Sequence, residues 1–211
     1  PKAFIELRPW VNQGWEMVLL AAESVRHDCP LGLEEAKAFA TNYSLNCNEA
    51  LKFWGWSQVE LQTAIENVRH QAIATNQDSW LGMHSPFPEV ISRLKRLDTE
   101  GINFMVLTTK GEIFTAALLK FLGLRPNILN GHEAGSKIEI LMRLTTEHTI
   151  LGFVEDRLAT LQNVLTRPEL SAIPCYLASW GYLKPEDKSS LPPKIHLLDT
   201  KNLDLPLASW S

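Results

Sequence analysis

The stretch that decides the fold is INFMVLTTKG at residues 102–111. Its first six residues are mostly apolar, which is typical of a short strand buried on both faces of a parallel sheet. The polar Thr108, Thr109 and Lys110 then end the strand, and Gly111 begins a predicted helix. Ligands bind at the carboxyl ends of strands in such sheets, so we expect the functional residues here and at the ends of the neighbouring strands.

Strands and helices alternate along the whole of this part of the chain. The apolar patterns predict helices at 88–97, 111–122, 136–144 and 158–164, and further strands at 127–129, 149–154, 173–178 and 195–198. Strands that alternate with helices through short loops indicate an α/β fold with a doubly wound parallel sheet.

The first 80 residues differ in composition from the rest. They hold 6 Lys and Arg against 10 Asp and Glu, 5 of the 7 Trp, but only 3 of the 12 Pro and 3 of the 11 Gly. Apolar residues at helical spacing, interrupted at Arg8-Pro9, predict helices and no strand. These helices are expected within 4–26 and at 33–41, 48–53 and 57–75. We therefore expect an all-helical domain at residues 1–82 and an α/β core at 83–211.

Charge and composition exclude several classes of protein. The net charge is −4 and there is no run of Lys and Arg, which disfavours nucleic acid as a partner. No apolar run approaches the ~18 residues of a membrane span, and the amino terminus does not resemble a signal peptide. The three cysteines are unclustered, which disfavours zinc modules and disulfide frameworks and indicates a reducing, cytoplasmic setting.

Two polar features at strand and helix ends could bind phosphate. Thr108 and Thr109 offer hydroxyls and backbone N–H groups at the start of a helix, although a threonine there also serves as an ordinary helix cap. Lys137, on the first turn of a later helix, could neutralise a phosphate or a carboxylate; the alternative is an exposed lysine without such a role.

A third feature could bind a metal ion. Glu155 and Asp156 directly follow the apolar stretch TILGFV at residues 149–154. Adjacent carboxylates at a strand end can hold a hard cation such as Mg²⁺ through oxygen ligands. The alternative is that Asp156 caps the next helix while Glu155 faces solvent.

Taken in order, a strand-end threonine, a helix-start lysine and a strand-end acid pair resemble the haloacid dehalogenase-like hydrolase superfamily. FMVLTT matches its second motif, Lys137 its third and GFVED its fourth. Other strings are similar to a plant and cyanobacterial branch of that superfamily, and together they cover nearly the whole chain: LRPWVNQGWE, LTTKGEIFTAALL, GSKIEIL, FVEDRLATLQNV and SWGY.

The resemblance implies a Rossmann-like core, a helical cap and the hydrolysis of a phosphate ester. Thr108, with Thr109 beside it, would contact the transferring phosphoryl group, and Lys137 would orient the nucleophile. Asp156, with Glu155, would bind Mg²⁺. The substrate would be a small phosphorylated metabolite, hydrolysed through an aspartyl-phosphate by a monomer or homodimer in the cytoplasm or a plastid stroma.

The match is not uniform. The acid pair replaces the commoner glycine–aspartate form, and Thr160 stands where many members have a further aspartate. In the cap, Arg8 and Glu16 are the residues we expect to contact substrate. Trp15 is another candidate, with a buried structural role as its alternative.

The superfamily's first motif, a strand that ends in Asp-x-Asp and carries the nucleophile, does not occur. No two aspartates in the sequence are separated by one residue. The motif would precede the cap, upstream of Pro1, in the centre of the sheet. Its loss would leave a gap with exposed apolar side chains and unpaired backbone groups, unless another segment filled it.

Two alternatives follow. The chain is an amino-terminally shortened phosphatase, inactive in this form, or it is a relative without the nucleophile that binds a ligand or serves as a scaffold. An unrelated Rossmann-like nucleotide binder is disfavoured because no GxGxxG or GxxxxGK[ST] follows any predicted strand.

Overall fold

The structure is a computed structural model that describes residues 2–210. The chain divides into two compact units, the first ending at Met83 and the second beginning at His84. No helix among the described residues is both long and apolar enough to cross a membrane.

The first unit is helical, and residues 2–83 contain no strand. Its helices are α1 Lys2–Leu7, α2 Gly14–Glu23, α3 Leu33–Thr41, α4 Tyr43–Trp54 and α5 Gln58–Gly82. The predicted capping box opens α5, where the hydroxyl of Ser57 accepts from the N–H of Glu60 and the Glu60 carboxylate accepts from the N–H of Ser57. Gly55 ends α4 with a positive φ of 65°, a conformation that suits glycine.

Apolar side chains from α1 to α5 form one core in this unit. Its fully buried members include Leu7 from α1, Leu19 and Leu20 from α2 and Ala36 from α3. Two helices are longer than predicted. α4 begins before residue 48, and α5 continues beyond residue 75, through non-helical backbone angles at Asn76. Apolar spacing marks the face a helix buries and says little about its exposed ends.

The second unit alternates helices and strands. In chain order they are α6 Pro88–Arg96, β1 Met105–Leu107, α7 Glu112–Phe121, β2 Ile128–Asn130, α8 Lys137–Glu147, β3 Phe153–Glu155, α9 Leu158–Leu165, β4 Cys175–Ala178, α10 Pro185–Ser189, β5 Ile195–Leu198 and α11 Thr200–Leu203. All strand pairs are parallel, as predicted, so the α/β class is confirmed.

The predicted single sheet is divided in two. Within the described residues β1 pairs with β2 alone, and β3, β4 and β5 form a separate sheet in that order. Met105 lies opposite Ile128 in the first sheet, and Phe153 lies opposite Cys175 in the second. No strand within residues 2–210 joins β1 to β3, and a division of this kind is what the absence of a central strand would leave.

The two faces of the second sheet are covered by different elements. On one face, Leu141 of α8 and Leu161 and Val164 of α9 pack with strand residues in a core cluster. A second cluster around Tyr176 includes the carboxyl-terminal residues Leu203 and Trp210. β1, β3 and β4 are shorter than the predicted apolar runs, because strand pairing covers only the part of each run that has a neighbour. β5 has the predicted bounds, and β2 is shifted by one residue.

Candidate functional site

Thr108 directly follows β1, at its carboxyl end. Its N–H donates to the carbonyl of Asn130 at 3.0 Å, which extends the β1–β2 pairing by one residue. Its hydroxyl accepts from the N–H of Lys110 at 3.1 Å, so the side chain stabilises the turn toward α7. A hydroxyl that accepts one hydrogen bond still has its own proton to donate, so Thr108 retains a donor for a ligand.

The start of α7 already holds an anionic group. The Glu133 carboxylate accepts from the N–H of Glu112 at 3.2 and 3.3 Å, and hydrogen bonds from backbone N–H groups lower its pKa. A Cβ atom on Gly131 would lie 2.5 Å from the Glu112 nitrogen, so glycine permits this close approach. Sequence analysis missed both residues, since Glu133 had no pattern to mark it and Gly131 resembled an ordinary loop glycine.

Lys137 and Glu155 form the most buried ion pair at the strand ends. Lys137 is the first residue of α8, and its Nζ lies 2.5 Å from Oε2 of Glu155, the last residue of β3. The side chains are 20% and 6% exposed respectively. The structure therefore favours the interpretation of Lys137 as a charge-neutralising residue over that of an exposed lysine.

Burial raises the pKa of Glu155, and the Lys137 ammonium acts in the opposite direction. A carboxylate taken out of water is costly when it is charged, and a cation at hydrogen-bond distance offsets part of that cost. The nearby charge of Asp156 adds to the rise in the pKa. The pair therefore places one positive and one negative charge side by side at the carboxyl end of β3.

Asp156 has a different environment from its neighbour. It is exposed, and a Cβ atom on Gly181 would lie only 2.2 Å from the Cβ of Asp156. Gly181 belongs to the SWGY string, so the backbone after β4 packs against Asp156. The helix-cap alternative for Asp156 is not observed, because Arg157 is the N-cap residue of α9 and makes no side-chain cap bond.

A preformed metal centre is not visible in the part of the chain that the structure describes. No group of three or more His, Cys, Asp or Glu side chains there could hold a metal ion. Mg²⁺ commonly keeps several waters and uses one or two carboxylates with phosphate oxygens. The exposed carboxylate of Asp156 fits such a partial donor set, whereas the Glu155 carboxylate is bound by Lys137.

The cap candidates lie in the first unit. Glu16 is buried, and its carboxylate accepts from the N–H groups of Asn12 and Gln13, so it closes the start of α2. Trp15 is also buried, and its indole N–H donates to Gln13 at 2.8 Å. Arg8 is half-buried in a short 3-10 turn, where its charge opposes the burial-driven rise in the pKa of Tyr43.

Comparison of the chain with protein-family models, with curated proteins and with solved structures found no match. The superfamily resemblance therefore stays a prediction, and the case for a function depends on the site itself.

Proposed function

We propose that the protein is a Mg²⁺-dependent phosphatase of the haloacid dehalogenase-like kind, with a small phosphorylated metabolite as substrate. The observation that carries this proposal is the buried pair of Lys137 and Glu155, next to the exposed carboxylate of Asp156. A lysine fixed at 2.5 Å from a buried acid is held in one place, as an electrostatic role in phosphoryl transfer requires.

Each residue has a distinct part in this proposal. Thr108 donates its hydroxyl proton to a phosphoryl oxygen, with Thr109 beside it. Lys137 offsets negative charge as it builds up on the phosphoryl group, and Glu155 keeps the ammonium in position. Asp156 would hold Mg²⁺, which when bound supplies positive charge that stabilises the phosphoryl oxygens.

The nucleophile comes from elsewhere. No Asp-x-Asp pair occurs in the 211 residues, so we propose that a further strand ending in that motif completes the enzyme. This part of the proposal is supported by the division of the sheet, which leaves β1 and β3 each without a neighbour on one side among residues 2–210.

A second candidate is a non-catalytic binding or scaffold module. It is favoured by the Glu133 carboxylate at the start of α7. An anionic side chain at that helix end competes with phosphate for the same N–H group.

A phosphatase assay distinguishes the phosphatase from the non-catalytic binding module. With p-nitrophenyl phosphate and Mg²⁺, the 211-residue chain should show no turnover, and a form extended by the Asp-x-Asp strand should be active. In the extended form, Lys137→Ala and Asp156→Asn should each reduce kcat at least 100-fold. Lys188→Ala, at an exposed lysine of α10, should leave kcat unchanged.

Turnover by the 211-residue chain would show that the nucleophile has been misassigned. Inactivity of a folded extended form would instead favour the binding module.

A further inference from the structure

A pocket lies in the second unit between the carboxyl-terminal half of α7 and the chain that leads into β2. Its volume is about 420 Å³, and it is open to solvent. Seven residues from α7, from the loop that follows and from β2 line it: Ala116, Leu119, Lys120, Leu124, Arg125, Pro126 and Leu129. Pockets that bind small molecules have volumes of about 300–1,000 Å³, so this one is large enough for a compact ligand.

The pocket is separate from the residues proposed for phosphoryl transfer. β1 and β2 run parallel, and Thr108 follows β1 at its carboxyl end. The loop residues 124–126, in contrast, precede β2 at its amino end. A ligand in the pocket would lie toward the opposite end of this strand pair, so the inference below does not rest on the proposed phosphatase.

The inner surface of the pocket is apolar. Leu124 is the most buried of the lining residues, with 4% exposure. Leu119 of α7 and Leu129 of β2 are half-buried beside it. Water against such a surface finds few hydrogen-bond partners, so an apolar group that displaces it gains affinity.

Two cations lie at the opening. Lys120 and Arg125 are both exposed, and neither forms an ion pair or a side-chain hydrogen bond with another residue in the range 2–210. Lys120 lies in the last turn of α7, where a cation also suits the helix dipole. Arg125 lies beyond the helix, in the loop before β2, so the dipole does not explain its charge there.

The charge around the opening is not offset by the segment that forms the pocket. Residues 113–132 contain no Asp or Glu, although the whole chain has 24 of them and a net charge of −4. Lys95 of α6 brings a third cation to the same turn, because its Nζ would lie 3.2 Å from a Cβ atom on Gly123. The pocket therefore carries local positive charge in a chain that is acidic overall.

These properties define the chemistry of a ligand. The apolar inner surface requires an apolar body, and the cations at the opening require an anionic group at its solvent end. A guanidinium matches the planar geometry of a carboxylate, to which it can donate two parallel hydrogen bonds. The volume is near the low end of the range for ligand pockets, which favours a compact body such as a ring over a long acyl chain.

We infer that this pocket binds a small amphipathic carboxylate. The apolar body of the ligand packs against Leu119, Leu124 and Leu129, and its carboxylate accepts hydrogen bonds from Arg125 and Lys120.

The probe for this site is 2-naphthoate, and its neutral control is 2-naphthamide, which has nearly the same shape. In an NMR titration of the 211-residue chain, 2-naphthoate should shift the amide signals of residues 116–129. It should bind at least tenfold more tightly than 2-naphthamide, because hydrogen bonds to a charged acceptor are the stronger ones. Added NaCl should weaken the binding of the carboxylate and leave that of the amide unchanged.

Two pairs of variants test the location of the site. Ala116→Trp fills the pocket from an exposed position of α7 and should abolish binding. Ile113→Trp, on the same helix at a residue that is 89% exposed and does not line the pocket, should retain it. The double variant Lys120→Gln/Arg125→Gln should weaken 2-naphthoate at least tenfold without affecting 2-naphthamide. Lys188→Gln should affect neither probe, and circular dichroism establishes that each variant is folded.

Several results would overturn the inference. Equal affinity for the two probes would remove the role of the cations, and signal shifts confined to residues outside 116–129 would place binding elsewhere. Binding that survives in a folded Ala116→Trp protein, or no binding of 2-naphthoate at its solubility limit, would also refute the site. None of these readouts requires turnover, so their failure is distinct from a failure of the phosphatase proposal.

Discussion

Replacement of Lys137 by methionine should destabilise the second unit, and the loss should depend on pH. The Nζ to Oε2 distance is 2.5 Å, and Coulomb's law with an effective dielectric constant of about 20 gives a direct attraction of about 7 kcal/mol. Desolvation of the two groups offsets most of this. Loss of one partner from a buried pair costs about 3–5 kcal/mol, and the 20% exposure of Lys137 reduces our expectation to about 2–3 kcal/mol.

The sign of the pH effect follows from Glu155. Burial raises the pKa of this carboxyl in the folded chain, and Lys137 opposes the rise, so Lys137→Met should raise the pKa further. The folded state then binds the proton more tightly than the unfolded state does. The variant is therefore most stable below the pKa of Glu155 in the unfolded chain, about 4.3, and loses stability as the pH rises through the pKa of Glu155 in the folded chain. The difference from wild type should therefore be larger at pH 8 than at pH 4.5.

Urea unfolding at the two pH values measures this difference, and hydrogen exchange at 153–155 assigns it to the second unit. Addition of Glu155→Gln to Lys137→Met should recover most of the loss at pH 8, because no buried charge then remains. Lys188→Met should change the free energy of unfolding by less than about 0.5 kcal/mol. A similarly small effect of Lys137→Met at pH 8, or an equal loss at both pH values, would refute the reasoning.

Three further predictions concern other parts of the chain. Hydrogen bonds and charge lower the pKa of Glu100 to about 2, so its stabilising contribution is present above about pH 4.5 and is lost as pH falls toward 2. The melting temperature of Glu100→Gln should therefore fall less steeply than that of wild type over this range. Gly181→Ala places a Cβ atom 2.2 Å from that of Asp156 and should cost about 1–3 kcal/mol in urea unfolding. Gly82→Ala, where nothing lies within 4 Å, should not destabilise the chain. With Ellman's reagent, the exposed Cys29 should react rapidly, and the other two thiols, which are buried, should react only after unfolding.

The order of the strands and of the longer helices was predictable from the sequence because each of these elements buries a face of its own, whereas the short α10 and α11 were not predicted. The apolar run before Thr108 and the run before Glu155 each contain a strand, and the capping box at Ser57 opens a helix as predicted. The lengths of β1, β3 and β4 were not predictable, since an apolar residue becomes part of a strand only where a neighbour supplies its hydrogen bonds. A gap in the sheet was expected from the absence of an Asp-x-Asp strand, but its position between β1 and β3 could not be read from apolar runs, because pairing depends on two segments at once.

The site was predictable as a set of strand and helix ends, but the contacts within it were not. Periodicity places Lys137 at a helix start and Glu155 at a strand end, while their 2.5 Å contact depends on how α8 packs on the sheet. Glu133 had no distinguishing pattern, because it lies in a short turn after β2 and its contact with the N–H of Glu112 is 21 residues away in the sequence. Sequence reasoning therefore predicted the positions of these side chains at strand and helix ends better than it predicted their contacts.

The acid pair shows why adjacent residues in a sequence can have separate roles. Successive side chains of an extended chain point to opposite sides, so Glu155 and Asp156 do not converge on one point simply because they are neighbours. Glu155 faces inward and is bound to Lys137, whereas Asp156 faces outward against Gly181. Of the two predicted metal ligands, Glu155 has an ion pair within the described part of the chain and Asp156 has none there. If Mg²⁺ binds here, Asp156→Asn should weaken its binding more than Glu155→Gln, and isothermal titration with Mg²⁺ can compare them. An equal effect of both substitutions would mean that Lys137 releases Glu155 when the metal ion binds.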